Sequence, residues 1–270
     1  EITSHLLNAG APISQINLVR RHLSAIKGGR LAAVAAPAKV ITLAISDVPG
    51  DDPLAIASGP TVADETTGAD ALAVLERYVI EVPASVRIHL EQETPVSPPA
   101  GSEYFIVASA ADAIKAAARK AEQEGWSPVL LGEALEGEAQ QVGRSHGELA
   151  RRYLEEGRPA LLLSGGELTV THNGSGEGGP NHEYALSVVM ASGCSPAITV
   201  LAGDTDGLDG TSGAAGVCLN RGLSDDQQQK AAEALSAHNT APFLKALGAQ
   251  IETGPTDTSV NDFRAILIEP

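Results

Sequence analysis

Leu161-Leu162-Leu163-Ser164-Gly165-Gly166-Glu167 is an apolar run that empties into glycines and a carboxylate. Further along, a second apolar run ends in Ala202-Gly203-Asp204-Thr205-Asp206-Gly207-Leu208-Asp209-Gly210. Between them, Gly174-Ser175-Gly176-Glu177-Gly178-Gly179-Pro180-Asn181 leads into a helical stretch. Strand, helix and strand in alternation are the mark of an α/β protein. Glycine lets the backbone turn tightly and approach a ligand closely. Ligands of open α/β sheets bind beyond the carboxyl ends of strands. The segment from Leu161 to Gly216 is therefore expected to hold an active site for an anionic, metal-bound substrate.

Working outward, Ser14 to Ile26 reads as a helix, with Ile16, Val19, Leu23 and Ile26 at helical spacing. Gly28-Gly29 ends it, and Arg30 to Ala36 reads as a short second helix. The continuous apolar run Val40 to Ile45 predicts a buried parallel strand. Ser46 to Thr61 reads as a polar loop, and Thr67 to Tyr78 as a helix capped by Thr67. Glu93 to Ser102 is rich in Pro, Gly and Ser, which divides the chain into domains at 1–100 and 101–270. Beyond it follow a strand at Tyr104–Ala108, a helix at Asp112–Glu124, a strand at Pro128–Leu131 and a helix at Glu138–Glu155. After the central segment come helices at Ser224–Ser236 and Pro242–Leu247 and a last strand at Ala265–Ile268. Glu167 to His172 follows its strand with no crossover helix, so the second sheet is expected to be mixed.

A chain of 270 residues holds one large or two ordinary α/β domains. The 43% hydrophobic content suffices for a core, and with aromatics at 3% that core must be built from Ala, Val, Leu and Ile. The formal net charge of -16 argues against nucleic acid and anionic membranes as partners. A phosphorylated substrate then needs a cation or a local basic cluster, for which Arg20, Arg21, Lys27 and Arg30 are candidates. Cys194 and Cys218 follow no metal spacing and form no disulfide framework, which suits a reducing cytoplasm. No apolar run is long enough to span a membrane.

Lys27-Gly28-Gly29-Arg30 places two cations around a flexible turn, where glycine amides and cations hold phosphate or carboxylate. The competing reading is a helix C-cap. Ser46-Asp47-Val48-Pro49-Gly50-Asp51-Asp52 packs carboxylates that need a cation or donors, for which Mg²⁺ is suited. An acidic solvated turn is its alternative. Ser164-Gly165-Gly166-Glu167 is neither a Walker A loop nor a dinucleotide turn; it is a phosphate cradle or a glycine bulge. Asp204, Asp206 and Asp209 lack the closing Glu of a calcium loop, leaving a Mg²⁺ or substrate-hydroxyl site, or an Asx-turn cluster. The histidines, His172 and His182 among them, form no H-E-x-x-H pattern and read as structural or surface residues. Ser164 lacks a nucleophile elbow, which argues against a serine hydrolase.

Together these stretches resemble glycerate 2-kinase of the family whose C-terminal part is the MOFRL domain, also labelled hydroxypyruvate reductase. The resemblance rests on Asn17 to Ser24 with Lys27 to Ala32, Ser46 to Asp52, Ala57 to Thr61, and Leu163 to Glu167. It continues through Gly178 to Glu183, Asp204 to Gly210, Gly254-Pro255-Thr256 and Asn261-Asp262, in family order across nearly the whole chain. It implies two α/β domains, the first Rossmann-like with a parallel sheet and the second with a mixed sheet. It also implies a further segment upstream of Glu1, carrying a lysine and a glycine-rich loop. The implied activity is ATP-dependent phosphorylation of D-glycerate at its 2-hydroxyl, with Mg²⁺.

On that reading, Asp206 and Asp209 bind Mg²⁺ or the hydroxyl and assist deprotonation. Lys27, Arg30, Asp47 and Asp51 bind substrate or nucleotide. The Ser164-Gly165-Gly166 amides cradle phosphate, with Glu167 and Asn181 ordering the site. Where family members read Gly-Gly-Arg-Asn, this chain reads Gly178-Gly179-Pro180-Asn181, so it lacks a proposed catalytic cation. The alternatives are an NAD(P)H-dependent hydroxypyruvate reductase or a non-catalytic fragment. The reductase would need a strand, a G-x-G-x-x-G turn, a helix and a downstream acidic residue, and no such unit is read. Oligomeric state stays open, with a homodimer as the candidate.

Overall fold

The computed structural model describes residues 2–171 and 174–270. His172 lies outside the described residues. The chain divides into two compact units, Glu1–Val107 and Ala108–Pro270. The division falls after the Pro/Gly/Ser-rich stretch because strand β2 belongs with β1 of the first unit.

The first unit contains α1 (Ile2–Asn8), α2 (Ile13–His22), α3 (Arg30–Val34), β1 (Ile41–Ile45), α4 (Gly68–Arg77), α5 (Ala84–Gln92) and β2 (Glu103–Ala108). A single 3-10 turn covers Ile56–Ser58. Leu6, Ile16, Val19, Ala71, Leu75 and Leu90 form its core. Thr67 caps α4 as its sequence predicts: its hydroxyl accepts from the Asp70 amide, and the Asp70 carboxylate accepts from the Thr67 amide. Helix α2 stops at His22, earlier than its apolar spacing suggests. The Ser24 hydroxyl accepts from the amides of Ile26 and Lys27, which gives the backbone a turn in place of a helix.

β1 and β2 form a two-stranded parallel sheet. The apolar run of β1 is not buried on both faces, as expected above. Ile41, Leu43 and Ile45 are 59%, 68% and 45% exposed, and Phe105 and Val107 of β2 are exposed likewise. A sheet of two strands has too little cover around it to enclose both its faces.

The second unit contains α6 (Ala110–Gln123), β3 (Pro128–Glu138), α7 (Ala139–Glu155), β4 (Ala160–Thr169), α8 (Pro180–Ala191), β5 (Ile198–Asp204), β6 (Gly216–Leu219), α9 (Asp225–Ser236), α10 (Thr240–Ala246), β7 (Gln250–Ile251) and β8 (Asp262–Ile268). Its six-stranded sheet runs in the order β3-β4-β8-β5-β6-β7. β3 and β4 are parallel, and β4–β8, β8–β5, β5–β6 and β6–β7 are antiparallel. The expected mixed sheet is present: β4 itself continues through Glu167–Thr169, and β8 pairs antiparallel with β4 and β5. Leu162, Ile198, Val200, Val217, Ile266 and Ile268 build the core with the inner face of α8. Helix α7 approaches α8 closely at Gly143 and Gly147, where a Cβ would meet the Tyr184 and Val188 carbonyls at 2.6 and 2.5 Å.

Candidate functional site

The glycines expected to cradle phosphate lie inside a strand. Ser164, Gly165 and Gly166 are buried in β4, with β3 on one side and β8 on the other. The β3 ladder shifts register twice between Leu130 and Leu135, beside these residues. Gly166 has φ +100°, and a Cβ there would run into the Leu135 backbone. The glycines lie in a regular strand opposite a bulge of β3, and the amides of this stretch do not form an open anion-binding turn. Glu167 is exposed further along β4.

β5 ends at Asp204, and the chain then turns through Asp206 to Asp209. The Asp206 amide donates to Asp204 Oδ1 at 2.9 Å, and Leu208 donates to Asp206 Oδ1 at 2.7 Å, closing an Asx turn. The Thr256 amide donates to the Asp206 carbonyl, and Thr205 Oγ1 donates to the Asn261 carbonyl, so the 254–262 segment holds this loop from behind. Asp204 is half-buried, and burial pushes its carboxyl up to about 6. The charges of Asp262 and Asp206 add to that rise, and the Asp206 amide opposes it. Burial also raises Asp262, against the pull of Arg264 and Asn181.

Asp209 has a different task from the one expected. It is 1% exposed and accepts four hydrogen bonds. Oδ1 takes the Asn181 amide at 3.0 Å and Asn181 Nδ2 at 3.2 Å. Oδ2 takes the His182 amide at 2.9 Å and His182 Nδ1 at 2.5 Å. Its carboxylate thus caps the first turn of α8, where unsatisfied amides and the helix dipole favour a negative charge. A saturated, enclosed carboxylate has no lone pair facing a metal, so Asp209 is not placed as a metal ligand or as a base. Pro180 occupies the first turn of α8, where its missing N–H costs nothing.

Asn181 Nδ2 also donates to Asp262 Oδ1 at 2.7 Å. Asp262 pairs with Arg264, whose guanidinium donates to the Gly165 and Gly166 carbonyls at 3.0 and 3.2 Å and lies over the Tyr184 ring. A buried polar chain therefore runs from α8 through Asp209, Asn181, Asp262 and Arg264 to β4. Arg264 and Gln250 were not singled out from the sequence, and Asp262 was read only as part of a motif, with no role. The glycine-flanked acidic run and the Asn261-Asp262 pair were the available signals.

In the first unit, Arg30 is an internal tie. Its guanidinium donates to the carbonyls of Arg21 and Lys27, both at 2.9 Å, and pairs with buried Glu93. Glu93 also meets His22 Nδ1 at 2.6 Å, and Arg21 pairs with Asp64 at 2.5 Å. The expected role of Arg30 in holding substrate is not supported, because its donors already serve this network. Lys27 Nζ donates to the Ala57 carbonyl at 3.0 Å. Asp47 is exposed and Asp51 half-buried in the loop after β1.

A G-x-G-x-x-G spacing does occur, at Gly174, Gly176 and Gly179 between β4 and α8, which corrects the reading above. Its amides face inward. Glu177 donates to Asn239 Oδ1, Gly178 to Thr211 Oγ1, and Asn181 and His182 to Asp209. The glycines fit packing: a Cβ at Gly176 would strike the His238 carbonyl, and one at Gly178 the Thr240 hydroxyl. The seat that a dinucleotide's phosphates would need at this helix N-terminus is filled by Asp209.

Among the described residues, no three His, Cys, Asp or Glu side chains are grouped to hold a metal ion. Mg²⁺ usually takes one or two protein carboxylates together with substrate phosphates. Asp204 and Asp206 suit that smaller donor set, since their carboxyl groups lie beside each other in the loop after β5. No described helix is long and apolar enough to cross a membrane.

Fold and site define a two-unit α/β protein with an acidic loop beyond the carboxyl end of a sheet strand. Residues 1–91 match the domain of unknown function DUF4147, and residues 160–262 match the MOFRL family. The chain is 47% identical to a protein of Agrobacterium vitis named "Putative hydroxypyruvate reductase", over 99% of this chain and 64% of that protein. It is 40% identical to a glycerate 2-kinase of Pyrococcus horikoshii, over 96% of this chain and 62% of that one. The crystal structure of a glycerate kinase from Thermotoga maritima superposes with a TM-score of 0.91 at 37% identity, covering 98% of this chain and 66% of that chain. The chain belongs to the glycerate 2-kinase family that carries a MOFRL domain. It spans a little under two thirds of the length of these curated relatives.

Proposed function

We propose that this chain carries part of an enzyme that transfers the terminal phosphoryl group of ATP to the 2-hydroxyl of D-glycerate. The observation that carries the reading is the match, over 98% of the chain, to a solved glycerate kinase. The geometry adds a poised acidic loop. Phosphoryl transfer depends on alignment and charge neutralisation more than on covalent chemistry. Asp204, held near 6 by burial and its neighbours, accepts the proton of the attacking hydroxyl, because a general base works best when it titrates near the working pH. Asp206 is the carboxylate for Mg²⁺, which when bound offsets the negative charge of the phosphates. Asn181, Asp209 and Arg264 touch neither substrate nor phosphate in this scheme; they fix the loop and the ends of β4 and β8. Lys27, Asp47, Asp51 and Glu167 remain candidates for substrate or nucleotide contacts.

The purified protein is incubated with ATP, Mg²⁺ and D-glycerate, and 2-phosphoglycerate is followed by phosphorus NMR. A parallel incubation offers hydroxypyruvate with NADH or NADPH. Reduction of hydroxypyruvate without phosphoryl transfer would overturn the kinase reading.

A further inference from the structure

The ring of His182 is fully buried between two side chains of opposite demand. Its Nδ1 lies 2.5 Å from Asp209 Oδ2, and its Nε2 lies 3.1 Å from Gln250 Nε2. A glutamine amide nitrogen only donates, so in this arrangement Nε2 offers its lone pair. Nδ1 then carries the single ring proton and donates it to Asp209. With its proton on Nδ1 and the Nε2 lone pair engaged, the ring is held in a single tautomer. The Gln250 N–H occupies the lone pair that a second proton would need. Gln250 is itself held by strand pairing with Val217.

This arrangement matters for Asp209. Three of its four donors are amide N–H groups that are always present: Asn181 N, Asn181 Nδ2 and His182 N. The fourth exists only while His182 keeps its proton on Nδ1. With the proton moved to Nε2, a lone pair would face a carboxylate oxygen and two N–H groups would face each other, around a ring that is fully buried. Asp209 joins the 204–210 loop to the first turn of α8, so the loop's placement depends on the ring's state.

We infer that Gln250 is a positioning residue: it holds His182 as the neutral Nδ1–H form, and through Asp209 it sets the position of the Asp204–Gly210 loop. The inference deepens the proposed kinase site and rests on it only for its kinetic consequence. Gln250→Glu is nearly isosteric but replaces the donor with an acceptor, which should convert His182 to imidazolium. Gln250→Met removes the donor with little change of volume and serves if the glutamate variant does not fold.

The test is nitrogen-15 NMR of the histidine rings and of the Asn181, His182 and Asp209 amides in the full chain. The native protein should show a protonated Nδ1 and a bare, hydrogen-bonded Nε2 at His182. Gln250→Glu should show both nitrogens protonated, with the three amides displaced. In the glycerate assay it should lower kcat about tenfold, with KM changed by less than about twofold. The same substitution in a His182→Asn background should change kcat by less than about twofold, since a pair acting through one ring is non-additive. A native imidazolium, an unchanged ring state in both Gln250 variants, unmoved amides, or equal kinetic losses in both backgrounds would each overturn the inference. If the native protein does not phosphorylate glycerate, the functional reading fails, while the ring and amide shifts still decide the role of Gln250.

Discussion

Arg264 offers the sharpest test of how the second unit holds its site. It is a fully buried side chain at the centre of the sheet, and its partners are the Asp262 carboxylate and two strand carbonyls. Arg264→Met keeps an apolar stem of similar reach and removes every donor. The Asp262 side chain, 5% exposed, is then left without its cation. Removing one partner of a buried pair costs about 3–5 kcal/mol, and each stranded carbonyl adds about 1 kcal/mol or more. Protonation of Asp262, already favoured by burial, relieves part of this, so a net loss of about 4 kcal/mol is expected.

The single tryptophan, Trp126, lies in the second unit, so its fluorescence during urea unfolding reports that unit directly. If orphaned charge is the cause, adding Asp262→Asn to Arg264→Met should restore at least about 1 kcal/mol. It should also make the loss less dependent on pH. A loss below about 1 kcal/mol for Arg264→Met, or a double variant weaker than the single one, would refute the reasoning.

The carboxyl of Asp204 is raised in the folded state, so its stabilising contribution is present below the ordinary carboxylate range and is lost as pH rises through about 6. Asp204→Asn should therefore melt higher than the native protein at pH 8 and no higher at pH 4, while its turnover falls about 10²-fold or more. A variant equally stable and equally active at both pH values would remove Asp204 from the mechanism. Gly166→Ala should abolish soluble expression, because φ +100° and the Leu135 backbone leave no room for a Cβ; normal yield and native Trp126 emission would contradict the strand-interior assignment. Excess EDTA should stop turnover and added Mg²⁺ restore it; turnover indifferent to the chelator would exclude Asp206 as a cation ligand in catalysis.

Elements whose signals lie within a few residues were legible in the sequence. Thr67 was read as the cap of its helix and forms a capping box with Asp70, and the helix read from Ser224 starts in a capping box with Gln227. The strand–helix alternation predicted the α/β class, and the aspartate-rich run after β5 does turn as a loop. The short strands β6 and β7 were missed, since two to four residues carry too little periodicity to register.

The side chains themselves told a different story once folded. Asp206 and Asp209 look alike in the sequence, yet one closes an Asx turn and the other caps a helix. Arg30 looked like an anion-binding residue beside glycine, but Glu93, far along the chain, claims its guanidinium. Ser164-Gly165-Gly166 reads equally well as an open turn or as a crowded strand, and only the bulge in β3 distinguishes the two.

The sequence by itself determined the class of fold and the family, because these depend on local propensity and on the order of motifs. Tertiary structure decided which carboxylate is saturated by donors and which is raised by burial. The donors that saturate Asp209 come from residues 27 and 28 positions away, and the charges that raise Asp204 include one that β8 brings beside β5. Hydrogen bonding and burial act between neighbours in space, and those neighbours exist only after the strands have paired.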